Sequence, residues 1–207
     1  MNFGVEQTKK WMQELNQRLQ LQKAYLTELD QAIGDGDHGL NMARGFQEVV
    51  YKISIIDYKD VGSLFKDIGM VLLSKVGGAS GPLYGTVFLK AANEVKGKES
   101  LETKDLAAAF TASLEGVKMR GKANLGDKTM VDVWEPVVAY LQGDQVDWDT
   151  FISLAKTNME NTEQLEAKKG RAAYLGKRSI GHLDPGAVSS FYFFAELAKV
   201  CKEVSQA

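Results

Sequence analysis

Leu29-Asp30-Gln31-Ala32-Ile33-Gly34-Asp35-Gly36-Asp37-His38-Gly39-Leu40-Asn41 places three carboxylates within eight residues and separates two amphipathic runs. Before it, Met12, Leu15, Leu19, Leu26, Leu29 and Ile33 recur at three- and four-residue spacings, which predicts a helix from about Val5 to Ile33. After it, Met42, Phe46, Val49 and Val50 predict a second helix starting beyond Gly39. The stretch is therefore a helix-to-helix corner. Residues 34–39 match the dinucleotide fingerprint G-x-G-x-x-G letter for letter, but no strand precedes them and two carboxylates would face the pyrophosphate. An EF-hand fails as well, because Gly39 and Phe46 stand where acidic ligands are required.

Working outward, Asp60 is an N-cap for a helix carrying Leu64, Phe65, Ile68, Val71, Leu72 and Val76, which ends at Gly77-Gly78. Pro82 opens a helix to Val95, and Gly97 closes it. Thr103 caps the next helix, which Gly121 ends. A segment from Thr129 to Leu141 contains Pro136, expected to kink it or restart it. Asp147 or Asp149 begins a helix reaching about Lys169, and Pro185 opens the last one, with Val188, Phe191, Phe194, Leu197 and Val200 on its apolar side. Ile53-Ser54-Ile55-Ile56 is the best strand candidate, and one strand cannot make a sheet. The expectation is an all-α protein of about eight antiparallel amphipathic helices in one domain, residues 1–207. Every second corner then lies at the same end: 34–39, 77–82, 121–129 and 170–185.

Composition narrows the function classes. A formal charge of -2 over 207 residues gives no electrostatic case for nucleic acid or an anionic membrane. The single cysteine, Cys201, excludes an internal disulfide and fits a reducing compartment, so the expected location is cytoplasmic. There is no apolar run of about 18 residues, and Gln7-Thr8-Lys9-Lys10 stands where a signal peptide would be apolar.

The four glycine-rich corners carry the chemistry. Two carboxylates about 5 Å apart repel by roughly 3 kcal/mol at an effective dielectric of about 20, so Asp30, Asp35 and Asp37 call for a divalent cation, and their hard oxygens suit Mg²⁺. Ordinary turn and cap chemistry is the alternative. His38 is a phosphate donor in preference to a metal ligand, because imidazole is a poor partner for Mg²⁺, or else merely a polar turn residue, and Asn41 shares its side of the first helical turn. Gly77-Gly78-Ala79-Ser80-Gly81-Pro82 has the composition of a phosphate cradle at a helix N-terminus, or of close helix packing. Gly121 and Met130 bound a corner of small residues suited to a planar apolar group. Lys168, Lys169, Arg171, Lys177 and Arg178 make the fourth corner anion-facing or simply solvated. Metal ligands opposite cations and glycine backbone are the parts of a phosphoryl-transfer site, yet no base for an acceptor hydroxyl is present.

In order and spacing, residues 29–41, Gly77 to Pro82, Gly126-Asp127-Lys128-Thr129-Met130 and Gly170 to Ala187 resemble the L subunits, the nucleotide-binding subunits, of bacterial dihydroxyacetone kinases. Ala173, Lys177 and Asn124-Leu125 depart from that pattern. The resemblance implies a closed eight-helix barrel with the nucleotide site in the loops at one end. It implies two Mg²⁺ ions held by Asp30, Asp35 and Asp37, and a tightly bound ADP. His38, Gly39, Leu40, Asn41, Ala79 and Ser80 would surround the phosphates, Gly121 and Met130 would flank the adenosine, and Arg178, with a catalytic role, and Asp184, Pro185, Gly186 and Ala187 would complete the pocket. The implied partners are an M subunit of the sugar phosphotransferase system that phosphorylates the ADP and a K subunit that holds dihydroxyacetone, which would explain the missing base. A transcription factor and a second copy of the chain are further implied partners. An ATP-dependent kinase domain acting on dihydroxyacetone or protein-bound fatty acid is the competing enzyme reading, and a nucleotide-loaded regulatory module is the non-enzymatic one.

Overall fold

The computed structural model describes residues 2–206. Nine α-helices occur among them: α1 (Val5–Leu21), α2 (Lys23–Ile33), α3 (His38–Ser54), α4 (Val61–Lys75), α5 (Ser80–Glu94), α6 (Thr103–Gly121), α7 (Val131–Leu141), α8 (Trp148–Asn161) and α9 (Pro185–Gln206). The expected first helix, 5–33, is two helices. Gln22 leaves helical geometry (φ -96°, ψ 8°) between exposed Leu21 and Lys23, so the chain bends where no buried side chain spans the joint. Other boundaries also differ from expectation. Glu102, not Thr103, precedes α6, and its N–H donates to Asp105 Oδ2 at 2.9 Å. Helix α8 stops at Asn161 and tightens into a 3₁₀ turn, Thr162–Gln164, instead of reaching Lys169. Pro136 neither breaks nor restarts α7, which runs through it. Asp60 and Asp147 do cap their helices, accepting from Ser63 N–H and Thr150 N–H.

The strand candidate at 53–56 ends α3 as a helix and a bend. The extended pairs are instead β1 (Phe3–Gly4) and β2 (Ser100–Leu101), antiparallel, with Phe3 opposite Leu101. Period-two alternation cannot reveal two-residue strands. With Val61 N–H bonded to the Lys98 carbonyl at 2.8 Å, they fasten the start of α1, the α3–α4 connection and the α5–α6 connection together.

Helices pack as a circuit: α1 on α3, then α3 through α9 each on the next, and α9 back on α1, with α2 laid against α3 and α9. Inside lies one apolar cluster drawn from every helix. Its centre is aromatic. Trp11 and Phe193 rings are 4.7 Å apart and Trp134 and Phe194 rings 4.6 Å apart, and Phe65, Phe88 and Phe110 pack edge-on around them. Each such ring removes roughly 150–250 Å² from water, so this column dominates the hydrophobic term. The Trp11 indole N–H is satisfied by the Phe193 carbonyl at 3.1 Å. Phe193 lies outside the apolar series read from sequence, because α9 buries residues over a wider arc than one stripe. Among the described residues no helix is long and apolar enough to cross a membrane.

Candidate functional site

Asp30 ends up buried one turn before the end of α2, and its position decides the geometry of the acidic corner. Its Oδ2 accepts the backbone N–H groups of Asp37 (2.8 Å) and His38 (3.0 Å), doing for α3 what an N-cap side chain does. Gly34 makes this possible: a Cβ there would sit 2.1 Å from Asp30 Oδ1. Gly36 turns the chain through φ +74°, in the left-handed region. The corner consequently folds three carboxylates onto one point, with one oxygen from each of Asp30, Asp35 and Asp37 within 4.8 Å of the others. Cap and cation readings are therefore compatible, because Asp30 caps with one oxygen and leaves the other.

The four expected corners meet. A cavity of about 520 Å³ is lined by residues of all of them, a size typical of sites for small molecules. Asp30, Asp35, Asp37 and His38 form one wall, Ala79 and Ser80 another at the start of α5, and Gly121 and Met130 a third with apolar Leu83, Val117, Ala123 and Val131. Lys169, Gly170, Arg171, Asp184, Pro185 and Gly186 close it. Of the residues singled out from sequence, Gly39, Leu40, Asn41, Arg178 and Ala187 do not line this cavity. Gly39 packs against α2, Leu40 lies exposed over a separate groove with Lys23 and Arg44, and Asn41 is buried with its Oδ1 accepting from Arg44 at 2.8 Å. Arg178 is exposed on a 3₁₀ segment, Arg171–Ser179, that is interrupted at Gly176. Ala187 is buried and gives its N–H to Asp184 Oδ2 at 2.7 Å.

His38 is buried, with Nδ1 2.9 Å from Ser80 Oγ and Nε2 3.0 Å from Ser189 Oγ. Burial lowers its pKa to about 4 despite the nearby Asp30, so the ring is neutral at physiological pH. Burial pushes the Asp184 carboxyl the other way, up to about 7, with the Ala187 N–H bond opposing and Asp132 reinforcing.

Several site residues carry no distinct signal in the sequence. Arg171 pairs with Asp35 at 3.0 Å, joining the cationic corner to the acidic one; the charge run points to the region but not to this member. Lys128 is buried in a left-handed conformation (φ 59°), and its ammonium donates to the carbonyls of Thr162 at 2.6 Å and His182. Burial depresses its pKa, offset by Asp184, Glu163 and Asp132. Asp132 accepts from Thr129 N–H (2.7 Å) and Gly126 N–H, and Lys168 N–H reaches the Asp127 carbonyl at 3.1 Å. The apolar corner is thus fastened to the basic one. A charged Gly126-Asp127-Lys128-Thr129 run inside a corner of small residues is the available signal.

A family model described as the DAK2 domain matches residues 32–199. The chain is 46% identical over 194 residues to "PEP-dependent dihydroxyacetone kinase 1, ADP-binding subunit DhaL" of Listeria innocua, covering 94% of this chain and 96% of that one. To "PEP-dependent dihydroxyacetone kinase, ADP-binding subunit DhaL" of Escherichia coli it is 45% identical over 210 residues, covering 98% and 100%. The crystal structure of the dihydroxyacetone kinase of C. freundii in its native form superposes with a TM-score of 0.74 at 25% identity, covering 92% of this chain but 34% of that longer one. Asp35 and Asp37 of the acidic corner, the glycine corner and the α9 entrance fall inside the matched segment, which begins two residues after Asp30, and near-full-length relatives share almost half of the sequence: the chain belongs to the DAK2 domain family.

Proposed function

We propose that this chain is the ADP-binding, phosphoryl-transferring subunit of a dihydroxyacetone kinase, working as one domain built as a closed helical barrel. The observation that carries this is the convergence of four corners on a single cavity: a carboxylate triad, a helix N-terminus behind glycines, an apolar slot and a cationic rim. The ring of helix contacts that closes from α9 to α1 supports the barrel, with α1 and α2 together in the place of one of the eight expected helices. Identity of 45–46% to subunits named as ADP-binding and PEP-dependent, against 25% to the longer kinase chain, favours the phosphotransferase-system type over direct use of ATP.

In this reading Asp30, Asp35 and Asp37 hold two Mg²⁺ ions, and the donor set fits, being all hard oxygen. Bound there, the metals would supply charge neutralisation for a polyphosphate. Backbone at Gly78, Ala79 and the start of α5 cradles the phosphates. Leu83, Val117, Gly121, Ala123 and Met130 seat the base and keep water from it. Arg171 stands at the mouth where charge is transferred, and Arg178, exposed on the same segment and outside the cavity lining, is assigned the catalytic role that the family resemblance implies. A K subunit brings dihydroxyacetone, an M subunit of the phosphotransferase system brings the phosphoryl group, and the compartment is the cytoplasm.

Denaturing the purified chain and identifying the released small molecule tests the core of the proposal, and ADP is expected. Supplying phosphoenolpyruvate with phosphotransferase proteins and a K subunit should then phosphorylate dihydroxyacetone, whereas ATP alone should not. An empty, correctly folded chain that turns over ATP would assign it to the exchanging kinases instead.

A further inference from the structure

The segment that closes the cavity holds its backbone still and leaves one charged side chain with room to move. Its two ends are stitched together where α8 stops and α9 begins: Gly181 N–H donates to the Glu163 carbonyl at 2.8 Å, and the Lys128 ammonium bridges the carbonyls of Thr162 and His182. Its far side is pinned to α2, because Ala172 is buried with Ala167 against Ile33, the residue before Gly34 of the acidic corner. Between these anchors Gly170 takes φ +65°, with nothing within 4 Å of where a Cβ would stand. The backbone of Arg171 is therefore fixed beside the carboxylates, while its side chain stays 68% exposed.

Of the cations in this corner, Lys169 and Arg171 line the cavity, and among the described residues Arg171 is the one paired with a member of the triad, 3.0 Å from Asp35 Oδ2. Asp35 is also a member of the cation-holding cluster, so guanidinium and cation compete for one carboxylate. An exposed pair is weak and shifts an equilibrium by no more than about fivefold. A divalent ion has twice the charge and faces three carboxylates, so the cation wins. The displaced guanidinium has another partner close by. Asp37 Oδ1 lies 3.7 Å from where a Cβ on Gly78 would stand, so the glycine cradle at the start of α5 borders the triad. The fork of N–H donors on an arginine fits a phosphate as well as a carboxylate.

We infer that Arg171 is a nucleotide-binding residue with two positions: without a cation on the triad it neutralises Asp35, and with Asp35 taken by a cation it turns to the outer phosphate of the nucleotide. One side chain thus offsets charge on the wall in the first state and on the ligand in the second. The inference deepens the proposed function and rests on reading the cavity as a cation-and-nucleotide site.

Calorimetric titrations of the purified chain, freed of divalent cations and nucleotide by chelation and exchange, separate the two positions. With no nucleotide present, Arg171→Ala should bind Mg²⁺ about threefold more tightly than the native chain, because Asp35 has lost its competitor. At saturating Mg²⁺ the same variant should bind ADP at least about tenfold more weakly, as a charge-assisted pair with phosphate is lost. The opposite signs are the signature, since damage to the fold would weaken both. Arg171→Lys keeps the charge without the fork, and should return the Mg²⁺ affinity to within about twofold of native while recovering only part of the ADP affinity. Lys177→Ala removes the same charge from an exposed position on the same segment, and should change either affinity by less than about twofold. Unchanged or weaker Mg²⁺ binding in Arg171→Ala overturns the first position, and unchanged ADP binding overturns the second. Equal shifts in Lys177→Ala overturn both, leaving only the general field of the rim. If the native chain binds Mg²⁺ but no ADP, the proposed function fails, whereas the pairing of Arg171 with Asp35 is still decided by the Mg²⁺ titration alone.

Discussion

Asp37→Asn should stabilise the metal-free chain and abolish its stabilisation by Mg²⁺. The substitution keeps the shape and removes one charge from a triad whose facing oxygens lie within 4.8 Å of one another. At that spacing each pair costs about 3.5 kcal/mol at an effective dielectric of about 20, and about 0.9 kcal/mol in bulk water. Removing one member deletes two pairs, so the gross relief lies between about 2 and about 7 kcal/mol. The lower end applies: Asp35 is partly exposed and paired with Arg171, and two backbone N–H groups already stabilise Asp30. A net gain of about 1–2 kcal/mol raises the Tm of a chain this size by about 3–6 °C. In the native sequence, Mg²⁺ at a hundred times its Kd adds about 2.7 kcal/mol of stability, or about 5–10 °C. Differential scanning calorimetry of both proteins, with EDTA and with Mg²⁺, gives all four values. A variant that melts lower than the native chain in EDTA, yet still rises with Mg²⁺, would refute the electrostatic reading of this corner.

Gly39→Ala should destabilise by about 1–3 kcal/mol in urea unfolding, because the added Cβ would lie 2.1 Å from the Lys23 carbonyl and force α2 and α3 apart. Lys128→Met should leave the His182 carbonyl without a donor and cost about 1–3 kcal/mol, visible as faster proteolysis between 123 and 130. With its folded pKa raised to about 7, the native Asp184 binds a proton that the unfolded chain has released, so it favours folding below about pH 4 and loses that contribution as pH rises to 7. Measured without metal or nucleotide, the urea midpoint should therefore fall between pH 5 and 7.5 more steeply in the native chain than in Asp184→Asn, and equal slopes would count against this assignment. Asp132→Ala should free the backbone N–H groups of Gly126 and Thr129 and weaken nucleotide retention, read by equilibrium dialysis, by about tenfold.

What is legible in the sequence follows the range of the forces involved. Helix spans and glycine corners are local, set by periodicity, caps and φ > 0, and so the corners at 34–39 and 77–82 stand out from residue types alone. Burial of Phe193 against Trp11, from opposite ends of the chain, has no local signature. The break at Gln22 has none either, since neither glycine nor proline marks it. Within the site, the acidic triad is legible because three carboxylates in eight residues are unusual in any turn. Lys128, Ser189 and Tyr84 are not, because each acts through a hydrogen bond to a residue 34 or more positions away. The two serines buried on α9 amid aromatic residues are the one sequence trace of that network.

The same geometry explains why cation and nucleotide should be held together. Three carboxylates open onto the cavity, and Arg171, the cation that reaches them, is already paired with Asp35. A nucleoside diphosphate approaching this wall alone meets net negative charge, whereas a divalent ion on the wall reverses the sign. Each ligand therefore raises the other's affinity by the same factor, as linkage requires. If that factor is about a hundredfold, the coupling is about 2.7 kcal/mol, enough to turn a micromolar nucleotide into one held with a Kd near ten nanomolar. Retention of ADP through purification would then depend on the metal rather than on the apolar slot, and brief chelation should release the nucleotide without unfolding the helices. The slot formed by Leu83, Val117, Ala123 and Met130 would set which base is accepted, while the acidic corner sets how long it stays.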